Sequence, residues 1–208
     1  MEFGQACRIC QAGVLSIMKI GGLQPFSLSD YPGHSAAIIF TIGCNFRCHY
    51  CHNKNLWNEY YQQISEENVL NFLTAKVGLL DGVVITGGEP TIHSDLIEFI
   101  KKIRKLKFKI KLNTNGANCE IFGELLNKKL LDYVAMDIKS PWKLYAKLSG
   151  VRCAVAAVKK SIELVTASGV AHEFRTLWDN KWLQLEDIAA IKKIIPPNSK
   201  YIVSKQNL

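Results

Sequence analysis

No run of apolar residues in the 208-residue chain approaches the ~18 needed to cross a membrane. The N-terminus carries Glu2 and Arg8 and lacks an apolar core of signal length, so a cytoplasmic protein with no membrane partner is expected. Low-complexity tracts, internal repeats and a recognisable linker are missing as well. Acidic residues are the scarcer sign, 18 against 26 Lys and Arg, which leaves a net charge of +8. The basic residues are mostly dispersed. Their densest group, KKIRKLKFKIK from Lys101 to Lys111, alternates with apolar residues and reads as the solvated face of a helix and then a strand. No nucleic-acid partner is expected from it. Seven cysteines are too few for a disulfide scaffold in a chain of this length.

What is present is a crowding of three of those cysteines into eight residues, CNFRCHYC, at Cys44, Cys48 and Cys51. Loops this short do not close into a disulfide network, which points to metal binding in a reducing compartment. The spacing is C-x₃-C-x₂-C, and no fourth cysteine follows nearby. Structural zinc and ordinary iron–sulfur sites take four protein ligands. Two readings remain: a zinc site completed by His49 or His52, or a [4Fe–4S] cluster with one iron left open. Cys7 and Cys10 form a CxxC with no second pair to complete a site and are assigned no role. Cys119 and Cys153 read as small packing residues. Trp57 is placed to cover the cysteine loop.

The rest of the chain alternates short Ile- and Val-rich runs with helix-period segments. Strands are expected at Ala36–Ile42, Gly82–Thr86, Phe108–Asn113, Tyr133–Asp137, Ala171–Leu177 and Tyr201–Val203. Helices are expected after Ser65, after Ser94-Asp95, near Cys119–Lys128, through Val155–Val165 to Gly169, and near Leu185–Ile195 before Pro196-Pro197. Repeated βα units imply a parallel sheet. A closed eight-unit barrel needs ~250 residues, and about six units fit here. The expected fold is α/β: an open partial (β/α)6 barrel with the helices outside, over residues 36–208. Residues 1–35 would be a lead-in with one or two extra strands.

Every distinctive motif falls where a strand finishes. The cysteines follow the first, TGGEPT (Thr86–Thr91) the second, NTNG (Asn113–Gly116) the third, DIKSP (Asp137–Pro141) the fourth, and FRTLW (Phe174–Trp178) ends the fifth. In a parallel sheet these ends share one mouth. An open iron marks a catalytic site rather than a structural one. A ligand with an amine and a carboxylate would chelate it, and the methionine end of S-adenosylmethionine (SAM) is such a ligand. Gly87 and Gly88 would let backbone carbonyls approach the ammonium. Glu89 would add negative charge beside it, and Tyr50 an aromatic face for adenine.

CNFRCHYC and GGEP resemble the two hallmarks of the radical SAM superfamily. The CHN ending at Asn53, DYPG (Asp30–Gly33) and MDIK (Met136–Lys139) are similar to glycyl-radical-enzyme activases. KIGGLQPFSLSDYPG (Lys19–Gly33), followed by IIFTIGCNFRCHYCHN, resembles the branch that activates anaerobic ribonucleoside-triphosphate reductase. The resemblance runs from about Lys19 to Leu177. It implies one [4Fe–4S] cluster on Cys44, Cys48 and Cys51, and a SAM site lined by Tyr50, His52, Gly87, Gly88, Glu89, Thr114, Asn115, Asp137 and Lys139. Catalytic positions near the SAM or the substrate peptide would be Lys139 and Arg175. It further implies flavodoxin or ferredoxin as electron donor and a glycyl radical enzyme as substrate. Asp137 and Thr114 also match a monovalent-cation site of some activases, where Asn113 stands in place of Asp. Two alternatives are a radical SAM enzyme acting on a small molecule, such as 7-carboxy-7-deazaguanine synthase, and a zinc-stabilised nucleic-acid-binding module.

Overall fold

The computed structural model describes residues 18–57, 62–152 and 154–205. Cys7, Cys10 and Cys153 lie outside them, as does the lead-in up to residue 17. One sheet holds seven strands: β1 (Ile20–Ser27), β2 (Ala36–Thr41), β3 (Gly82–Gly87), β4 (Lys109–Thr114), β5 (Tyr133–Asp137), β6 (Ala171–Trp178) and β7 (Lys200–Lys205). They stand side by side in chain order. β1 pairs antiparallel with β2 and each later neighbour is parallel. β1 and β7 are the two edges, so the barrel is open. The expected (β/α)6 arrangement is present, with β1 as the extra strand.

Six α-helices occur among the described residues: α1 (Glu66–Thr74), α2 (Leu96–Lys105), α3 (Cys119–Asn127), α4 (Trp142–Ser149), α5 (Ala154–Ser168) and α6 (Leu185–Lys192). Ser65 caps α1 by accepting a hydrogen bond from the Asn68 amide at 3.2 Å, with Glu66 and Glu67 in the first turn. On α2, Leu96, Ile100 and Ile103 are fully buried. Its Lys101 and Lys102 face water and pair with Glu98 and Glu66. The helical part of the basic run is therefore the solvated face that its pattern implies, but the run's last residue is not: Lys111, on β4, is buried inside the barrel, where a carboxylate partners it. α4 was not expected from the sequence. It is short, and it follows a strand-end motif directly, yet Pro141 precedes it and Gly150 ends it with φ of 72°. That is the usual asymmetry of helix ends.

The central strands, β2 to β5, bury both faces. Ala37, Ile39, Val83 and Ile85 point outward into the core shared with the helices. Ala36, Ile38 and Val84 point into the barrel, where Tyr31 of the DYPG turn joins them. Across β4–β6 the barrel face becomes charged. Lys111 and Glu173, 2% and 4% exposed, pair at 3.4 Å, and the Tyr133 hydroxyl donates to Glu173 at 2.9 Å. Burial lowers the Lys111 pKa, against the pull of Glu173. Burial also pushes Glu173 upward, but Lys111, Tyr133 and Lys200 outweigh it and hold the carboxyl low.

Candidate active site

A cavity of about 370 Å³ opens at the C-terminal ends of the parallel strands. Its wall includes all thirteen residues the sequence nominated: Cys44, Cys48, Cys51, Tyr50, His52, Gly87, Gly88, Glu89, Thr114, Asn115, Asp137, Lys139 and Arg175, with Asn113 beside them. The structure therefore brings the five strand-end motifs to one mouth.

The cysteine loop is tied down from several sides. The Arg47 guanidinium donates to the carbonyls of Cys44 and Phe46 and lies over the Trp57 ring, while the Arg47 amide donates to the Ser149 carbonyl at 2.8 Å. Asn115 reaches across to Asn45 Oδ1 at 2.8 Å. Cys44, Cys48 and Cys51 are free thiols. Burial, reinforced by the Glu89 charge, pushes the Cys44 thiol up to about 12, and burial raises Cys48 too. Only a bound metal would make them thiolates at neutral pH. Among the described residues, no group of three or more His, Cys, Asp or Glu side chains converges as a single-ion site. Thiols spread along a cavity wall fit a multi-iron cluster held by one thiolate per iron.

Both glycines of the pair line the cavity, and close backbone packing also requires them. A Cβ on Gly88 would stand 1.8 Å from the Gly43 carbonyl oxygen, and one on Gly87 would stand 2.3 Å from the Thr41 amide nitrogen. Gly87 also has φ of 115°. The two glycines let the end of β3 pack against the chain leading into Cys44. Glu89 is 1% exposed and accepts four hydrogen bonds: the Thr91 amide and hydroxyl, the Thr114 hydroxyl and the Asn115 amide. It clips the GGEP turn to the NTNG turn. Burial raises its pKa, and those hydrogen bonds oppose the rise.

On the far wall, Asp137 sits between two cations. Arg175 donates to Oδ1 through Nε at 3.0 Å, with Nη2 in ion-pair contact with the same oxygen at 3.0 Å, and Lys139 donates to Oδ2 at 3.0 Å. Burial alone would raise the Asp137 pKa, but the two cations hold it at about 2. Burial would likewise lower the Lys139 pKa; Asp137 outweighs this and holds it above the ordinary lysine range. The Tyr50 hydroxyl donates to the Lys139 carbonyl at 2.7 Å, tying the cysteine loop to the end of β5. With two positive charges against one negative, this group does not fit a monovalent cation. Asn113 adds no charge; its amide donates to Thr86 Oγ1 at 3.2 Å.

Sequence reasoning missed Arg47, whose clamp on the loop has no motif of its own. It also missed Trp182, in the turn after β6, which stacks on His49 at 4.9 Å and 12°. No spacing in the sequence connects those two rings.

A model of the Radical SAM superfamily matches residues 38–180. The chain belongs to that superfamily: it is a radical SAM enzyme, and its cofactors are a [4Fe–4S] cluster and SAM. The cavity fits both, with three thiols on one wall and a volume in the range of small-molecule sites. Within the superfamily, the chain is 34% identical over 194 residues to a Methanocaldococcus jannaschii protein named "Putative glycyl-radical enzyme activating enzyme MJ1227", covering 89% of this chain and 79% of that one. It is 29% identical over 135 residues to a Thermococcus kodakarensis protein named "Probable GTP 3′,8-cyclase", covering 64% of this chain and 43% of the relative. Among solved structures, Streptococcus suis SuiB bound to S-adenosylmethionine superposes with a TM-score of 0.63 at 20% identity, over 80% of this chain and 39% of that one. At that identity the likeness is one of fold.

Proposed function

We propose that this enzyme installs a glycyl radical on a partner enzyme, anaerobic ribonucleoside-triphosphate reductase. The observation that carries the reading is the extent of the likeness. The likeness to the activating-enzyme relative runs over 89% of this chain at 34% identity, and that to the cyclase relative over 64% at 29%. The open edge between β1 and β7 is consistent with a substrate that must bring a backbone loop to the mouth.

In this reading Cys44, Cys48 and Cys51 hold the cluster. Tyr50, His52, Gly87, Gly88, Glu89, Thr114, Asn115, Asp137 and Lys139 line the SAM site. When bound, the cluster and SAM would supply one-electron reductive chemistry able to remove a hydrogen atom from the glycine. Arg47 and Asn115 fix the cysteine loop. Asp137 holds Lys139 and Arg175 side by side, and both keep further N–H donors for a carboxylate or a peptide carbonyl. Packing of the loop against β5 excludes water. Flavodoxin or ferredoxin is the electron donor. A small-molecule substrate is the second reading, favoured by the cyclase relatives.

The test is EPR spectroscopy of the anaerobically reconstituted, reduced enzyme with SAM and the reductase. A doublet that collapses when the glycine Cα carries deuterium is expected. No radical on the reductase, with SAM consumed alongside a purine-like small molecule, would replace this reading by the second.

A further inference from the structure

Two of the three cysteines in the cavity wall are the ends of one tight turn, and the structure grips that turn at both of its corners. Cys48 to Cys51 is closed by the Cys51 amide, which donates to the Cys48 carbonyl at 3.2 Å. The corner residues are His49 and Tyr50, and they go opposite ways. Tyr50 is 5% exposed, and its hydroxyl donates to the Lys139 carbonyl at the end of β5. His49 is exposed and lies flat on the Trp182 ring, with centroids 4.9 Å apart and 12° between the planes. A turn held at one corner can still rock about that anchor. A second grip at the other corner removes this freedom and fixes the directions in which the two sulfurs leave. The other fastenings of the loop, Arg47 on the Cys44 and Phe46 carbonyls and Asn115 on Asn45, act on the Cys44 side.

The platform under His49 is itself held from several sides. Trp182 sits in the turn after β6. The amides of Trp182 and Leu183 donate to the Asp179 carbonyl at 3.0 and 2.9 Å, and the Lys181 amide donates to the Asp179 carboxylate at 2.9 Å. Leu183 is buried, and its carbonyl accepts from the Trp178 indole at 3.0 Å. α6 then starts on a capping box between Gln184 and Asp187. The core gains little from an indole left 36% exposed. What this scaffold supports is a flat contact with the residue next to Cys48.

We propose that Trp182 is a positioning residue for the iron–sulfur cluster: stacked on His49, it fixes the turn between Cys48 and Cys51 and so sets how firmly those two sulfurs hold their irons. Ligand atoms fixed in advance lose less freedom on binding, so the cluster is held more tightly. A residue more than a hundred positions along the chain thereby acts on the metal without touching it. The inference rests on Cys48 and Cys51 as cluster ligands and not on the identity of the final substrate.

The test uses the full chain, reconstituted anaerobically, as wild type, Trp182→Ala, Trp182→Phe, His49→Ala and the Trp182→Ala/His49→Ala double variant. Iron release to excess EDTA is followed by absorbance, and the dithionite-reduced cluster is examined by EPR. Trp182→Ala should release iron at least threefold faster, the size expected for loss of an aromatic pair, and its EPR signal should broaden as the turn samples several arrangements. Trp182→Phe keeps a stacking face and should stay close to wild type. The double variant should be no worse than the poorer single variant, because the two rings act as one unit. Equal iron release in wild type and Trp182→Ala would overturn the inference, as would a double variant whose effect is the product of the two single ones. A cluster-free Trp182→Ala chain that melts well below wild type would mark a general structural role and overturn it too. Cys48→Ala is run beside them. Iron retained there would bring down the ligand reading and this inference with it, whereas iron lost there, with release unchanged in Trp182→Ala, removes this inference alone.

Discussion

The two halves of the barrel interior differ in kind. Under β2 and β3 it is apolar, with Ala36, Ile38 and Val84 sealed by Tyr31. Across β4–β6 it is charged, with Lys111 and Glu173 below and Asp137, Arg175 and Lys139 at the mouth. The apolar half carries the cysteine loop and the glycine turn, which need a rigid support more than any charge. The charged half faces the same cavity and presents donors to a polar ligand. Rigidity and recognition are thus assigned to separate strands.

The largest effect should come from the support of the metal. Replacing Cys44, Cys48 or Cys51 by Ala should reduce reconstituted iron from about four per chain to near zero, while circular dichroism stays native. Replacing Cys119 should leave the iron content unchanged.

On the charged side, Glu173→Gln leaves Lys111 buried without its partner and should destabilise the fold by ~3–5 kcal/mol in denaturant unfolding. Replacing both, as Lys111→Met with Glu173→Leu, should recover most of that loss. The pH dependence has a definite sign. The Glu173 pKa is depressed in the folded state, so its contribution is present above the ordinary Glu value and is lost as pH falls through the folded value. In Lys111→Met the loss should begin at higher pH.

Gly88→Ala tests the apolar half. Its Cβ would meet the Gly43 carbonyl, a backbone atom that cannot swing aside. A cost of ~2 kcal/mol or more is expected, with poorer iron incorporation because Gly43 precedes Cys44. An intact cluster with weakened SAM binding would show that the pair instead serves the ligand directly. At the other extreme, Lys101→Ala removes only an exposed pair with Glu98 and should change stability by less than ~0.5 kcal/mol.

Much of this was legible in the sequence because strand ends in a parallel sheet must converge. The order of motifs along the chain therefore placed Cys44, Gly88, Thr114, Asp137 and Arg175 together. Strand bounds shifted by a residue or two; Lys107, with φ of 67°, delays β4 to Lys109. Three things were not legible. α4 hid between a strand-end motif and a glycine. The purpose of Gly88 depends on Gly43, a contact across two strands. The His49–Trp182 stack joins residues that only the folded chain brings together.

The central claim is that the charged flank and the cysteine loop share one SAM site. Calorimetric titration of SAM into the cluster-loaded protein and its Asp137→Asn variant tests it directly. With the carboxylate gone, Lys139 and Arg175 lose the anchor that aligns them, and affinity should fall at least tenfold, as for loss of charged hydrogen bonds, with iron content unchanged. Equal SAM affinity in the two proteins would contradict it.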